Sequence, residues 1–317
     1  MATEGGTKAV VAALLANVGI AITKFVAFAL TGASSMLAEA IHSVADSGNQ
    51  VLLLVGGRRA RRKATPEHPF GYGRVRYVFA FIVSIVLFSV GGLFALYEAF
   101  HKYEEIHAGH PNELLESQWW WVPIVVLVAA IVMESFSFRT AILESNKVRH
   151  GSSWVRFVRR AKSPELPVIL LEDLGALVGL VFALIGVGMA LLTGNAYWDV
   201  AGTAAIGLLL VVIAVILAIE MSSLLIGEGA IEETVTAITT AVTSGDDVGR
   251  IIHLRTLYTG PEELLVAAKI AVLTSQTGDQ IATAIDGAER RIRDAVPEAT
   301  HIYLEPDIDR DAATRPV

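Results

Sequence analysis

Residues 34–57 read SSMLAEAIHSVADSGNQVLLLVGG, and the fold turns on how this stretch is understood. It is apolar enough to lie in a bilayer, yet it carries Glu39, His42, Ser43, Asp46, Asn49 and Gln50, where a lipid-facing helix carries none. Side chains three and four apart share one face of a helix, so Glu39, His42, Asp46 and Asn49 form a single polar stripe. Such a stripe must face protein or water. His42 and Asp46 stand one turn apart, which lets an imidazole nitrogen and a carboxylate oxygen converge on one cation. The pattern predicts a metal site inside a membrane, with Asn49 and Ser43 lining the path to it.

The composition agrees. Of 317 residues, 53% are hydrophobic and 18% charged, with a mean hydropathy of +0.55, too apolar for an ordinary soluble domain. The chain has no cysteine, so a transition-metal site must use His, Asp, Glu, amides or water. Apolar runs near 8–31, 34–57, 77–100, 119–142, 165–193 and 199–226 reach the roughly 20 residues that span a bilayer. Six transmembrane helices are expected, in a domain covering residues 1–226. The first run starts too early and extends too far for a cleaved signal peptide.

Loop charge orients the helices. Arg58, Arg59, Arg61, Arg62, Lys63, Arg74 and Arg76 follow the second run, and Lys147, Arg149, Arg156, Arg159, Arg160 and Lys162 follow the fourth. By the positive-inside rule both loops, and with them both termini, are cytoplasmic, in a plasma (inner) membrane. Trp119, Trp120 and Trp121 fall where an aromatic belt on the opposite side belongs.

Other runs also carry polar residues. Lys24 and Glu39 have matching depths in consecutive helices, which predicts an ion pair that either pins those helices or gates the outer mouth. Glu134, in the fourth run, is read as close enough to the interface to snorkel or pair with Arg139. Glu172 and Asp173 lie about a third of the way into the fifth run, at nearly the depth of Asp46, so these acidic positions can meet. The small residues Gly175, Ala176, Gly179, Ala183 and Gly186 that follow allow close helix approach.

Beyond Gly227 the character changes. Residues 228–317 hold 16 acidic and 8 basic residues and no span. A helical pattern near 230–244, strands over 250–257 and 264–273 joined by a turn at Thr259-Gly260-Pro261, a helix near 279–295 and a strand at 301–304 predict a small α+β domain over 227–317. Its acidity argues against nucleic acid and anionic lipid as partners.

These residues together resemble the cation diffusion facilitator family. The resemblance rests on the His42-x-x-x-Asp46 pattern within Ser35–Asp46, on His68-Pro-Phe-Gly-Tyr-Gly-Arg74, on Ile206-Gly-Leu, on Leu224-Leu-Ile-Gly-Glu228, and on Leu254-Arg-Thr with Gly260-Pro. The insert Ser153–Arg160 and the run Leu170-Leu-Glu-Asp173 are similar to the branch that includes the mitochondrial zinc transporter. The resemblance implies a homodimeric exporter of divalent cations: six membrane helices, a ferredoxin-like C-terminal domain that dimerises, and no organic cofactor. It also implies metal ligands His42, Asp46 and Asp173. Two departures stand out. The family's other fifth-helix ligand falls on Ile169, which cannot bind metal, so Glu172, a water or Asn49 is needed to complete the shell. In the C-terminal domain the positions where zinc-sensing members carry histidine are Ile252, Ala268 and Tyr303. His253 and His301 are read as ordinary strand residues and His68 as a structural part of its motif, so no sensing site is expected there.

Three or four N and O ligands suit Zn²⁺, with Mn²⁺ or Fe²⁺ as alternatives. Without a cation, Asp46, Asp173 and Glu172 would repel one another, so at least one should hold a proton that metal must expel. The chemistry therefore predicts Zn²⁺ efflux by proton antiport, with His42 as the proton carrier. The alternative is a non-transporting membrane scaffold, in which the same residues form a static metal site or hydrogen-bond network. No motif points to an enzyme.

Overall fold

The computed structural model describes residues 2–31, 34–110, 115, 118–149, 151–272 and 275–308. It divides into two compact units. One runs up to Arg59 and resumes over Arg76–Ser222; the other combines Ala60–Val75 with the chain from Ser223 onward.

The first unit is helical: α1 (Ala2–Thr31), α2 (Ser34–Ala60), α3 (Val75–His107), α4 (Trp121–Val148), the short α5 (Trp154–Arg160), α6 (Glu165–Thr193) and α7 (Tyr197–Ile226). Among the described residues, α3, α4, α6 and α7 are long and apolar enough to cross a membrane, at 28 to 33 residues each. Four of the six expected spans meet that measure. In α2 the polar stripe and the terminal Arg58 and Arg59 dilute the apolar character, and in α1 the apolar stretch among the described residues is Asn17–Ala29. The exposed Trp119, Trp120, Trp121, Tyr103, Tyr197 and Trp198 gather where α3 ends and α4 and α7 begin, as an interfacial belt requires.

Small residues and buried charges hold these helices together. On α6, Gly175, Gly179, Ala183, Gly186 and Ala190 form a buried stripe. At Gly186 the stripe touches α7 so closely that an added Cβ would lie 2.9 Å from the Trp198 carbonyl oxygen and 3.3 Å from Gly202 Cα. Lys102 on α3 donates to Asp199 on α7 across 3.0 Å, both buried. Near the other end of α3, Arg76 Nε lies 3.2 Å from Glu165 Oε1 on α6. Between these two pairs, α3 widens into a π-helical segment, Leu87–Leu93.

In the second unit, α8 (Glu232–Thr243) precedes β1 (Ile251–Gly260), β2 (Glu263–Val272), α9 (Gly278–Ala295) and β3 (Ala299–Ile308). The strand order is β1-β2-β3; β1 and β2 form an antiparallel hairpin, and β3 returns parallel to β2 after the α9 crossover. Thr277 and Gln280 close a capping box at the start of α9. One face of the sheet buries Leu264, Val266 and Ile270 against Ile238 and Val242 of α8 and Ile292 of α9.

The Ala60–Val75 segment belongs to this unit, which its sequence did not announce. The Phe70 ring meets His301 edge-on at 5.3 Å. Gly73 lies against the hairpin turn, where a Cβ would fall 2.8 Å from both Gly260 Cα and the Thr259 carbonyl oxygen. His68 exchanges backbone hydrogen bonds with Thr65 and packs on Tyr72 at 4.6 Å.

Candidate metal centre

Four helices bring the polar side chains together. On α2, Ser43, Asp46, Asn49 and Gln50 are buried, and His42 is 13% exposed at its side chain. His42 Nε2 lies 3.4 Å from Asp46 Oδ2, as the one-turn spacing predicts. The imidazole packs beside the π segment of α3, with Cε1 3.5 Å from the place a Gly91 Cβ would occupy. On α6, Glu172 and Asp173 are 3% and 1% exposed, and Asp46 acts electrostatically on both. Asp46 is thus within electrostatic range of both acidic positions on α6.

The two α6 carboxylates each have a neutral partner on another helix. Asn49 Nδ2 donates to Glu172 Oε1 at 2.9 Å, and Ser137 Oγ on α4 donates to Asp173 Oδ2 at 2.8 Å. The remaining oxygens, Glu172 Oε2 and Asp173 Oδ1, have no hydrogen-bond partner among the described residues, nor do His42 Nδ1 and Asn49 Oδ1. Buried polar atoms in that condition are costly unless something binds them. As the side chains stand, no three His, Asp or Glu groups among the described residues converge closely enough to hold a metal at once. The site is a gathered cluster rather than a closed shell.

Lys24 is 2% exposed and donates to Ser43 Oγ at 3.0 Å. The side chain of Glu39, its expected partner, lies outside the described residues. Ile169 is buried at 1% exposure, an apolar neighbour at the position where the resemblance wanted a ligand.

Sequence reasoning misplaced Glu134. It is 2% exposed, with Lys24, Asp46 and Asp173 as its electrostatic neighbours, and it shares a cavity with Asn17, Lys24, His42, Ser43 and Asp46. Its burial and these neighbours, with Arg139 not among them, take it out of the snorkelling or Arg139-paired role expected of it. The buried stripe Leu127, Ala130, Glu134, Ser137, Ala141 and Ser145 carried the signal, since residues three and four apart face the same neighbours.

In the second unit, His253 Nε2 accepts from Arg255 Nε at 3.1 Å, and His301 Nδ1 lies 3.0 Å from Thr300 Oγ1.

A helical bundle with exposed apolar faces and a buried polar interior defines an integral membrane protein. Residues 10–226 match the cation efflux transmembrane domain, so the chain belongs to the cation efflux family, whose members are transporters and not enzymes. It is 31% identical over 255 residues to the proton-coupled zinc antiporter SLC30A9, mitochondrial, of Xenopus laevis, covering 80% of this chain and 44% of that protein. It is 29% identical over 252 residues to the Homo sapiens protein of the same name, covering 79% and 43%. Metal tolerance protein C4 of Arabidopsis thaliana is 25% identical over 265 residues, 83% of this chain and 56% of its own length. The chain thus spans about half the length of the curated relatives it matches. Solved structures of the MamM C-terminal domain include one at 20% identity that covers 25% of this chain and 94% of its own, with a TM-score of 0.24.

These relatives correct one expectation. The SLC30A9 proteins are mitochondrial by name, which overturns placement in a plasma (inner) membrane with cytoplasmic termini. Loop charge distinguishes the two faces of a membrane but says nothing about which membrane it is.

Proposed function

We propose that the chain exchanges a divalent metal cation, Zn²⁺ in the first instance, for protons across its membrane, through the cluster of His42, Asp46, Asp173 and Glu172. The observation that carries this reading is the set of buried atoms His42 Nδ1, Asn49 Oδ1, Glu172 Oε2 and Asp173 Oδ1, which have no hydrogen-bond partner among the described residues, inside a cation efflux domain. Such atoms suit a borderline cation that brings no covalent chemistry. The same groups accept either Zn²⁺ or H⁺, so exposing them in turn to the two faces couples the two flows. His42 carries the proton, Asn49 and Ser43 line the path, and Lys24 with Glu39 holds the end of the α1–α2 pair. In this reading α1 and α2 also cross the bilayer, at 30 and 27 residues, to make six spans. The chain works as a homodimer through its C-terminal domain and uses no organic cofactor. Mn²⁺ and Fe²⁺ are the competing substrates, since Ile169 leaves the shell short of one ligand.

A second reading draws on the neutral partners of Glu172 and Asp173: a static hydrogen-bond network in a membrane scaffold. Proteoliposomes holding the full chain separate the two. Under an imposed pH gradient, Zn²⁺ uptake is expected in the native protein and not in Asp46→Ala or Asp173→Ala, with Mn²⁺ measured alongside. A native chain that binds Zn²⁺ but moves no metal under any gradient leaves the scaffold standing.

A further inference from the structure

We infer that Glu134, on α4, is a ligand of the transported cation and fills the place that Ile169 leaves empty. The inference rests on the transport reading above and adds to it a third helix. Glu134 is 2% exposed and lines the same cavity as His42 and Asp46. Its Oε1 has no hydrogen-bond partner among the described residues. One turn further along the same face of α4, Ser137 already holds Asp173 at 2.8 Å, so α4 is docked against the metal-site face of α6. That cavity is also lined by Gly175 and Gly179 of α6, and Asp173 and Asp46 are both among the charges that act on Glu134.

The chemistry fits the vacancy. A borderline divalent cation takes four N or O ligands, and His42, Asp46 and Asp173 supply three. Glu172 also has an open oxygen, Oε2, but its Oε1 is held by Asn49 and the side chain projects about 100° around the helix from Asp173. Glu134 lines the cavity from α4 with Oε1 unpartnered among the described residues. An isolated carboxylate in that position would be expensive, and a cation is what offsets it. Lys24 is the competing explanation, because it also acts on Glu134 and could serve as a fixed counter-ion.

The test is metal binding by the full chain in lipid nanodiscs, with Zn²⁺ affinity measured by competition and the visible spectrum recorded with Co²⁺. Glu134→Gln keeps the shape and removes the anionic ligand. It is expected to weaken Zn²⁺ by more than the roughly 10–100-fold that losing an outer partner costs, and to change the Co²⁺ spectrum. Glu134→His retains a ligand but cannot balance Lys24, so recovered Zn²⁺ binding there supports ligation. A failure of His to recover binding, with Lys24→Gln restoring it in the Glu134→Gln background, overturns it in favour of the counter-ion. Native affinity and an unchanged spectrum in Glu134→Gln also overturn it. Asp46→Ala is measured in parallel: if it abolishes binding while Glu134→Gln does not, only the inference about Glu134 fails. If neither variant affects binding, the metal site itself has been misassigned. Should Glu134→Gln not fold, the comparison of Glu134→His with the native chain decides alone.

Discussion

Asn49 and Glu172 are 123 residues apart in the chain and 2.9 Å apart in space, joined amide to carboxylate between α2 and α6 with both side chains buried. Asn49→Ala strips Glu172 of that donor, and a buried group left unsatisfied costs about 1–3 kcal/mol. Glu172→Gln keeps an acceptor oxygen facing Asn49 and is expected to cost less. Thermal unfolding in detergent ranks the two variants; a larger loss in Glu172→Gln would show that charge, not the hydrogen bond, is what matters there.

The Lys102–Asp199 pair is buried at both partners, each 9% exposed at the side chain. Lys102→Met leaves a lone buried carboxylate and is expected to cost about 3–5 kcal/mol, whereas Lys102→Met combined with Asp199→Leu recovers most of that. A double-mutant cycle measures the coupling. Additive single effects would refute it.

Gly73 meets the hairpin turn of the second unit without room for a methyl group. Gly73→Ala is expected to destabilise that unit by about 1–3 kcal/mol and to open residues 60–75 to proteolysis. Gly57→Ala, where nothing lies within 4 Å of the added Cβ, serves as the control and should be neutral or stabilising.

Glu67 is exposed in the loop after α2, and hydrogen bonds from its own backbone and from the Thr65 side chain hold its carboxyl below the ordinary 4.5. Because the folded value is the lower one, the stabilisation is present above about 4.5 and is lost as pH falls through the folded value. Thr65→Val removes one donor, so the Glu67 midpoint followed by NMR should move upward. An unmoved midpoint would leave the backbone bond as the whole cause.

Much of the fold can be read from periodicity. The α2 stripe predicts which side chains turn inward, and the small residues of α6 predict its close contact with α7. The hairpin, crossover helix and last strand of the second unit follow from alternation and turn chemistry. Three features escape that reading for physical reasons. Glu134 is read from its depth along α4 alone, whereas its neighbours depend on which side of the helix faces Lys24, Asp46 and Asp173, all distant in the chain. The π segment of α3 has no hydropathy signal. The attachment of residues 60–75 to the second unit depends on contacts with a hairpin nearly 200 residues away, such as Gly73 with Gly260, which no local pattern encodes.

The contact between Gly186 and Gly202 has a mechanical corollary. Two helices that touch backbone to backbone at one point have a fulcrum there, and α6 carries Asp173 about 20 Å along its axis from that point. A tilt of about 10° would swing Asp173 through roughly 3.5 Å, more than the reach of a hydrogen bond. The Ser137 hydroxyl is then a latch on the long arm of a lever, and any rocking of α6 must first release it.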